Sequence, residues 1–276
     1  MRFLNAFLSQ IGYVLISPFA SHPLLGLLFW GTVSGVATAW VFGKTSNQRR
    51  LQELVDETRA HLLAIKLFKH DLLVTFECQW KLLKATGLRL WHSLPPTLVM
   101  LVPFCLVLIQ LAQWYEFVPL TPGEATVVQL DVASDRWDRC QDTRLEAPGG
   151  VTVATDSLRD AASAQLAWRV QPEEGRPAVL QWNFGSEVVE KRLSVAQTAG
   201  PLMPVAVRRP TAAWWDQALH PLEPPCTTDG PVRAISLQHA RRQTLVGSWN
   251  VPWWATFVLV SMIAAWIFRR PLGVTF

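Results

Sequence analysis

The sequence predicts an α+β membrane protein: three transmembrane helices, a cytoplasmic helical hairpin and an extracytoplasmic antiparallel β-sandwich-like domain. Three observations carry this prediction. First, residues 24–42, 94–114 and 251–268 form apolar runs without a single charged side chain. Second, residues 43–93 hold nine Lys/Arg against five Asp/Glu, whereas residues 119–250 hold thirteen against fifteen. Third, the apolar periodicity changes after residue 119 from helical spacing to short alternating runs. Half of the residues are hydrophobic, yet the mean hydropathy is only +0.19, so the apolar residues are clustered.

Residues 1–20 read as an interfacial amphipathic helix on the outer surface, ended by Pro18. Phe3, Leu4, Phe7, Ile11, Val14 and Leu15 fall mostly on one helical face, while Asn5, Ser9 and Gln10 interrupt the apolar run. An early arginine, an apolar stretch and small residues near Ala20 also fit a cleavable signal peptide.

Residues 24–42 are nineteen in number, about 28 Å at the helical rise and close to the hydrocarbon thickness of a bilayer. Lys44, Arg49 and Arg50 follow at once and act as topology anchors, since basic residues hold a loop in the cytoplasm. The same stretch, "VFGKTSNQRR", contains Gly-Lys-Thr. A phosphate-binding loop needs a further glycine five residues earlier, after a buried strand. Thr38 stands there, inside a helix-length apolar run, so a nucleotide site is excluded.

Residues 46–92 read as a cytoplasmic helical hairpin. Ser46 or Asn47 can cap its first helix. Leu51, Leu54, Val55, Thr58, Leu62 and Ile65 form an apolar stripe at helical spacing. Glu53 and Glu57 lie early, Lys66 and Lys69 late, as the helix dipole prefers. The pattern weakens at residues 69–71, and a second helix follows over 72–91. The stripe either packs the two helices together or docks a partner or lipid.

The spans at 94–114 and 251–268 complete the membrane part. Arg269 and Arg270 anchor the tail, residues 269–276, in the cytoplasm. The amino terminus and the segment 119–250 then lie outside. Trp114, Tyr115, Trp253 and Trp254 are expected at one membrane interface, and Trp40 and Trp91 at the other. Thr32, Ser34 and Thr38 in the first span and Gln110 and Gln113 in the second are candidates for a polar membrane face. They serve either helix packing or a groove for a client helix. Gly31 and Gly35 form a small-xxx-small pair that permits close helix contact. No span carries a central charge, which argues against a proton relay or ion pump.

In the outer segment, "ATVVQLDV", "GVTVAT", "AQLAWRV", "AVLQWNF", "EVVEKRLSV", "MPVAVRR" and "VRAISLQH" read as strands, with "TAAWWDQAL" as a short helix. Cys140 and Cys226 share this oxidising compartment and are disulfide candidates. Their bridge would close a loop of about 86 residues, contributing on the order of 4–5 kcal/mol. Cys78 is expected reduced and Cys105 packed within a span. The six histidines show no metal-ligand spacing, and Gly-x-Ser-x-Gly is absent. The expectation is no enzyme, no metal and no cofactor. The basic excess lies beside the membrane, so nucleic acid is not an expected partner; the lipid bilayer is.

The order of external amphipathic start, span, basic hairpin and span, with "GKTSNQRRLQELVDETRAHLLAIKLFKHDLLVTF" at its centre, resembles the YidC/Oxa-type insertase superfamily, whose members include forms with a coiled-coil hairpin after the first span. "SNQ", "HLLAIKLFK" and the "GVTF" ending are similar to uncharacterised bacterial three-span membrane proteins. The resemblance implies a bacterial inner-membrane location, no cofactor, and a role in membrane-protein insertion or assembly with client membrane-protein segments as partners. It departs in two ways: about 130 residues separate the second and third spans, and the first span lacks a basic residue. The alternative expectation is an envelope scaffold or sensor whose outer domain binds a protein or glycan.

Overall fold

The computed structural model describes residues 2–67, 72–140, 143–184, 187–198, 202–246 and 248–274, without the side chains of residues 2–8, 72–75, 139, 245 and 246. Its helices are α1 (Arg2–Ile16), α2 (Pro23–Thr45), α3 (Gln48–Leu67), α4 (Leu72–Tyr115), α5 (Trp137–Cys140), α6 (Trp214–Leu219) and α7 (Trp253–Phe268). The chain divides into two compact units. One holds residues 1–26 and 108–253, the other residues 27–107 and 254–276.

In the second unit, α2 is free of charge until Lys44 and is long enough to cross a bilayer. Its glycines decide how it packs. A Cβ at Gly31 would come within 2.9 Å of Val260 Cγ1, and one at Gly35 would run into the Ser261 backbone. α2 and α7 therefore touch backbone to backbone, as the small-xxx-small pair predicts. Phe104 of α4 meets Phe257 of α7 at 5.7 Å between ring centroids. Phe42, Leu51 and Val274 form a small buried cluster, with Met100 and Leu272 packed on it. α3 begins where expected: Asn47 Oδ1 accepts the Arg50 N–H at 3.1 Å, capping the helix. The turn read at residues 69–71 lies outside the described residues.

Three expectations are corrected here. Among the described residues two helices, not three, are long and apolar enough to cross a membrane. α7 has 16 residues, about 24 Å, because Pro252 precedes it and Arg269 and Arg270 follow. The second helix of the hairpin and the second span are one element. α4 runs 44 residues through Pro95, Pro96 and Pro103, where the proline pair reads in sequence as a break. Finally, Trp114, Tyr115 and Trp253 do not face an interface: all three are buried, with Tyr115 stacked on Trp253 at 6.3 Å.

In the first unit, strand alternation builds two antiparallel sheets. The larger orders β3 (Val151–Val153), β5 (Gln165–Pro172), β1 (Thr126–Val132), β9 (Val232–Leu237) and β8 (Arg208–Arg209), with β4 (Leu158–Asp160) also on β5. The smaller orders β2 (Leu145–Glu146), β6 (Ala178–Phe184) and β7 (Glu187–Leu193). A hairpin, β10 (Leu245–Val246) with β11 (Trp249–Asn250), precedes α7. Val128, Leu130, Leu166, Trp168 and Ile235 from one sheet and Leu180, Trp182 and Leu193 from the other share one core, with Trp168 and Trp182 5.9 Å apart. This is the antiparallel sandwich expected. "MPVAVRR" departs, since only its last two residues are strand. Val205 instead gives its N–H to the Gln113 carbonyl at 2.9 Å.

Candidate functional site

The five residues read as a polar membrane face are divided between the two units. Thr32 Oγ1 donates to the Leu28 carbonyl at 2.8 Å and Thr38 Oγ1 to that of Ser34 at 2.6 Å. Each hydroxyl is satisfied one turn back in its own helix, the usual resort of Ser and Thr inside helices. Ser34 is only partly exposed. Gln110 and Gln113 belong to the other unit. The Gln110 side chain lies against Gly12 of α1. Gln113 Nε2 donates at 3.2 Å to both the Ile109 and Leu219 carbonyls, which ties α6 to the end of α4.

In the second unit α2, α4 and α7 do leave a groove, of about 210 Å³, walled by Gly35, Thr38, Thr97, Met100, Phe104 and Ser261 among others. Thr97 bonds the Ser93 carbonyl and Ser261 that of Phe257. With its hydroxyls engaged, the groove is an apolar surface that suits hydrocarbon rather than a hydrophilic client.

The hairpin stripe divides. Leu51 and Leu54 are buried, Val55 and Ile65 half-buried, and Leu62 exposed, with Leu63 and Leu67 beside it. α4 adds a longer stripe that the sequence reading missed. Phe76, Trp80, Leu83, Leu90, Leu94, Leu98 and Leu101 are all exposed. Their steps of three, four and seven residues set them on one face. The stripe runs from the hairpin into the apolar half of α4, broken at exposed Gly87 between Leu83 and Leu90. The signal was present as spacing, but the hairpin was read as ending at residue 92 and the span as starting at 94. Of the topology anchors, Arg50 pairs with Glu53 at 2.9 Å and Arg49 with the same carboxylate at 3.6 Å. Lys44 sits in the last turn of α2, and Arg269 lies over the Trp266 ring at 5.2 Å.

Two polar clusters in the β-domain were also missed. Lys191 takes an inward position of β7, between Val189 and Leu193. Its Nζ donates to Glu223 Oε2 and to the Ala206 carbonyl, both at 2.6 Å, and Glu223 Oε1 accepts the Arg192 N–H at 2.8 Å. Burial pushes the Lys191 ammonium down from its ordinary range, against the pull of Glu223. Alternation along "EVVEKRL" is the signal that sends Lys191 inward. The second cluster centres on buried Asp216. Its Oδ2 accepts the Thr211 N–H at 2.8 Å, and its Oδ1 faces His220 Nδ1 at 3.1 Å and Arg208 Nε at 3.6 Å. Burial acts to raise this carboxyl, but the Thr211 bonds and the charges of Arg208 and His220 outweigh it and hold it low. His239 is pushed down to about 4 by burial.

The disulfide expectation is corrected: Cys140 and Cys226 are free thiols, both buried in the sandwich core. Desolvation pushes the Cys226 thiol up to about 11, so it behaves as a packing residue. Among the described residues no group of three His, Cys, Asp or Glu is placed to hold a metal ion. The β-domain carries an open groove of about 990 Å³ with Arg144, Asp156, Ser157, Arg159 and Trp168 on its walls.

No family model, no curated protein and no solved structure matches this chain.

Proposed function

We propose that the chain is a non-enzymatic integral membrane protein that receives apolar helices of other membrane proteins during their insertion or assembly. α2 and α4 cross the bacterial inner membrane in this reading. The hairpin lies in the cytoplasm, and the amino terminus and β-domain lie outside. The basic balance of residues 43–93 supports this orientation. The observation that carries the functional reading is the exposed stripe on α4, from Phe76 to Leu101. It offers an apolar segment a surface that runs from the cytoplasm into the bilayer. α4 is long enough for this: 44 residues reach roughly 66 Å, about twice the hydrocarbon thickness. The client surface is thus apolar, in place of the polar face expected from the sequence. The family resemblance in order and hairpin agrees with this role.

A second reading follows from the groove beside Arg144 and Arg159: an envelope scaffold or sensor whose outer domain binds a protein or glycan. Site-specific photocrosslinking separates the two. Probes at Trp80 and Leu98 are expected to capture newly made membrane segments, and a probe at Thr155 in the groove is not. Capture confined to Thr155, of a mature envelope protein or glycan, would replace the first reading with the second.

A further inference from the structure

We propose that Trp214, Trp215 and Trp249, with Arg241, form a lipid-anchoring surface that seats the outer domain in the headgroup layer of the bilayer. The inference rests on the membrane reading above and assigns a surface that reading leaves unexplained. The outer domain buries Trp168 and Trp182 in its core, yet Trp214, Trp215 and Trp249 are 66%, 57% and 75% exposed. Of the aromatic residues at the helix ends expected at an interface, Trp114, Tyr115 and Trp253 are covered and Trp254 is exposed. The three exposed indoles of the β-domain would add, with Trp254, to an interfacial belt.

Their placement is fixed by hydrogen bonds. The Leu219 carbonyl at the end of α6 accepts from Gln113, and the Gln113 carbonyl accepts the Val205 N–H, so α6 is tied to the outer end of α4 at two points. Asp216 is turned inward by Thr211, His220 and Arg208, which sends its neighbours Trp214 and Trp215 outward. Leu219, one turn after Trp215, continues the exposed apolar face. Trp249 sits on the hairpin that leads into α7, where the Val251 N–H reaches the Thr244 carbonyl at 3.0 Å. Arg241 is exposed and bridges to Phe117, two residues past the end of α4. Indole rings prefer the headgroup region of a bilayer, and an exposed guanidinium complements lipid phosphate. The occupant is the phospholipid surface that surrounds α4, because α6 and Arg241 are tied to the end of α4 and Trp249 lies four residues before the start of α7.

The test uses the full chain in phosphatidylethanolamine/phosphatidylglycerol nanodiscs, with Cys78→Ser and Cys105→Ser. Single nitroxide labels are placed at Ala212, which keeps both indoles, at Leu158 on the far strand β4, and at Leu101 in α4. The ratio of oxygen to nickel-chelate collisions reports depth. The label at 212 is expected to fall between those at 158 and 101. Adding Trp214→Ser and Trp215→Ser should lower its ratio several-fold toward the aqueous value. A label at 212 that matches 158 with the tryptophans intact, while 101 is deep in lipid, overturns the anchor and leaves the membrane reading standing. An aqueous 101 overturns both. A label at 212 shielded from both reagents, and released when the protein is diluted in lipid, identifies a second copy as the occupant and also overturns the proposal.

Discussion

Lys191→Met is expected to destabilise the β-domain by about 3–5 kcal/mol, the cost of leaving one member of a buried ion pair without its partner. Lys191 and Glu223 have essentially no solvent contact, at 0% and 3% side-chain exposure. Replacing the lysine leaves Glu223 buried with only the Arg192 N–H to answer its charge. The Ala206 carbonyl also loses its donor. The double variant Lys191→Met/Glu223→Gln should recover most of the loss: the amide carbonyl still accepts from Arg192, and no unpaired charge remains. Denaturant unfolding, followed by the near-ultraviolet signal of the packed Trp168 and Trp182 rings, measures both. A loss below about 1 kcal/mol for the single variant is the value of a surface pair and would show that the pair is open to water.

Gly35→Leu is expected to have the second large effect, in the helical unit. A side chain there meets the Ser261 backbone rather than a movable side chain. α2 and α7 must separate, at a cost of at least ~3 kcal/mol, the upper end for overpacking. A graded series makes the claim specific. At Gly31 the obstacle is the tip of Val260, so Gly31→Ala should cost less than Gly35→Ala. At Gly87 an added Cβ meets nothing within 4 Å, and Gly87→Ala should stabilise α4 by up to about 1 kcal/mol through helix propensity. Protease resistance of the purified chain in detergent ranks the three. Equal tolerance of Gly35→Leu and Gly87→Ala would refute the α2–α7 packing.

Some of this was legible in the sequence, for physical reasons that can be named. α2 is legible because a charge-free run of its length has few alternatives. Strands β1, β5, β6 and β7 are legible because alternation maps directly onto two faces of a sheet. The continuity of α4 is not, since Pro95–Pro96 removes two helical donors and mimics a boundary that packing overrides. The length of α7 is not, because an apolar run does not say where Pro252 and Arg269 let the helix begin and end. The partners of the candidate polar residues were not legible, because residue type does not reveal them: Thr32 and Thr38 bond their own helix, while Gln113 reaches α6, 106 positions along the chain. Lys191 could have been found by carrying the alternation of β7 through a charged position. Its partner Glu223, in a loop, could not.

The measurement that tests the central claim most directly is the sidedness of the hairpin and the outer domain. Cysteines at Leu63 and Leu158, 67% and 73% exposed, are introduced singly with Cys78 and Cys105 replaced by alanine. The native Cys140 and Cys226 are buried and stay silent. A membrane-impermeant maleimide applied to intact spheroplasts is expected to label position 158 fully and position 63 only after lysis. Equal labelling of both before lysis, or labelling of 63 alone, would contradict a chain that places its hairpin and its β-domain on opposite sides of a membrane.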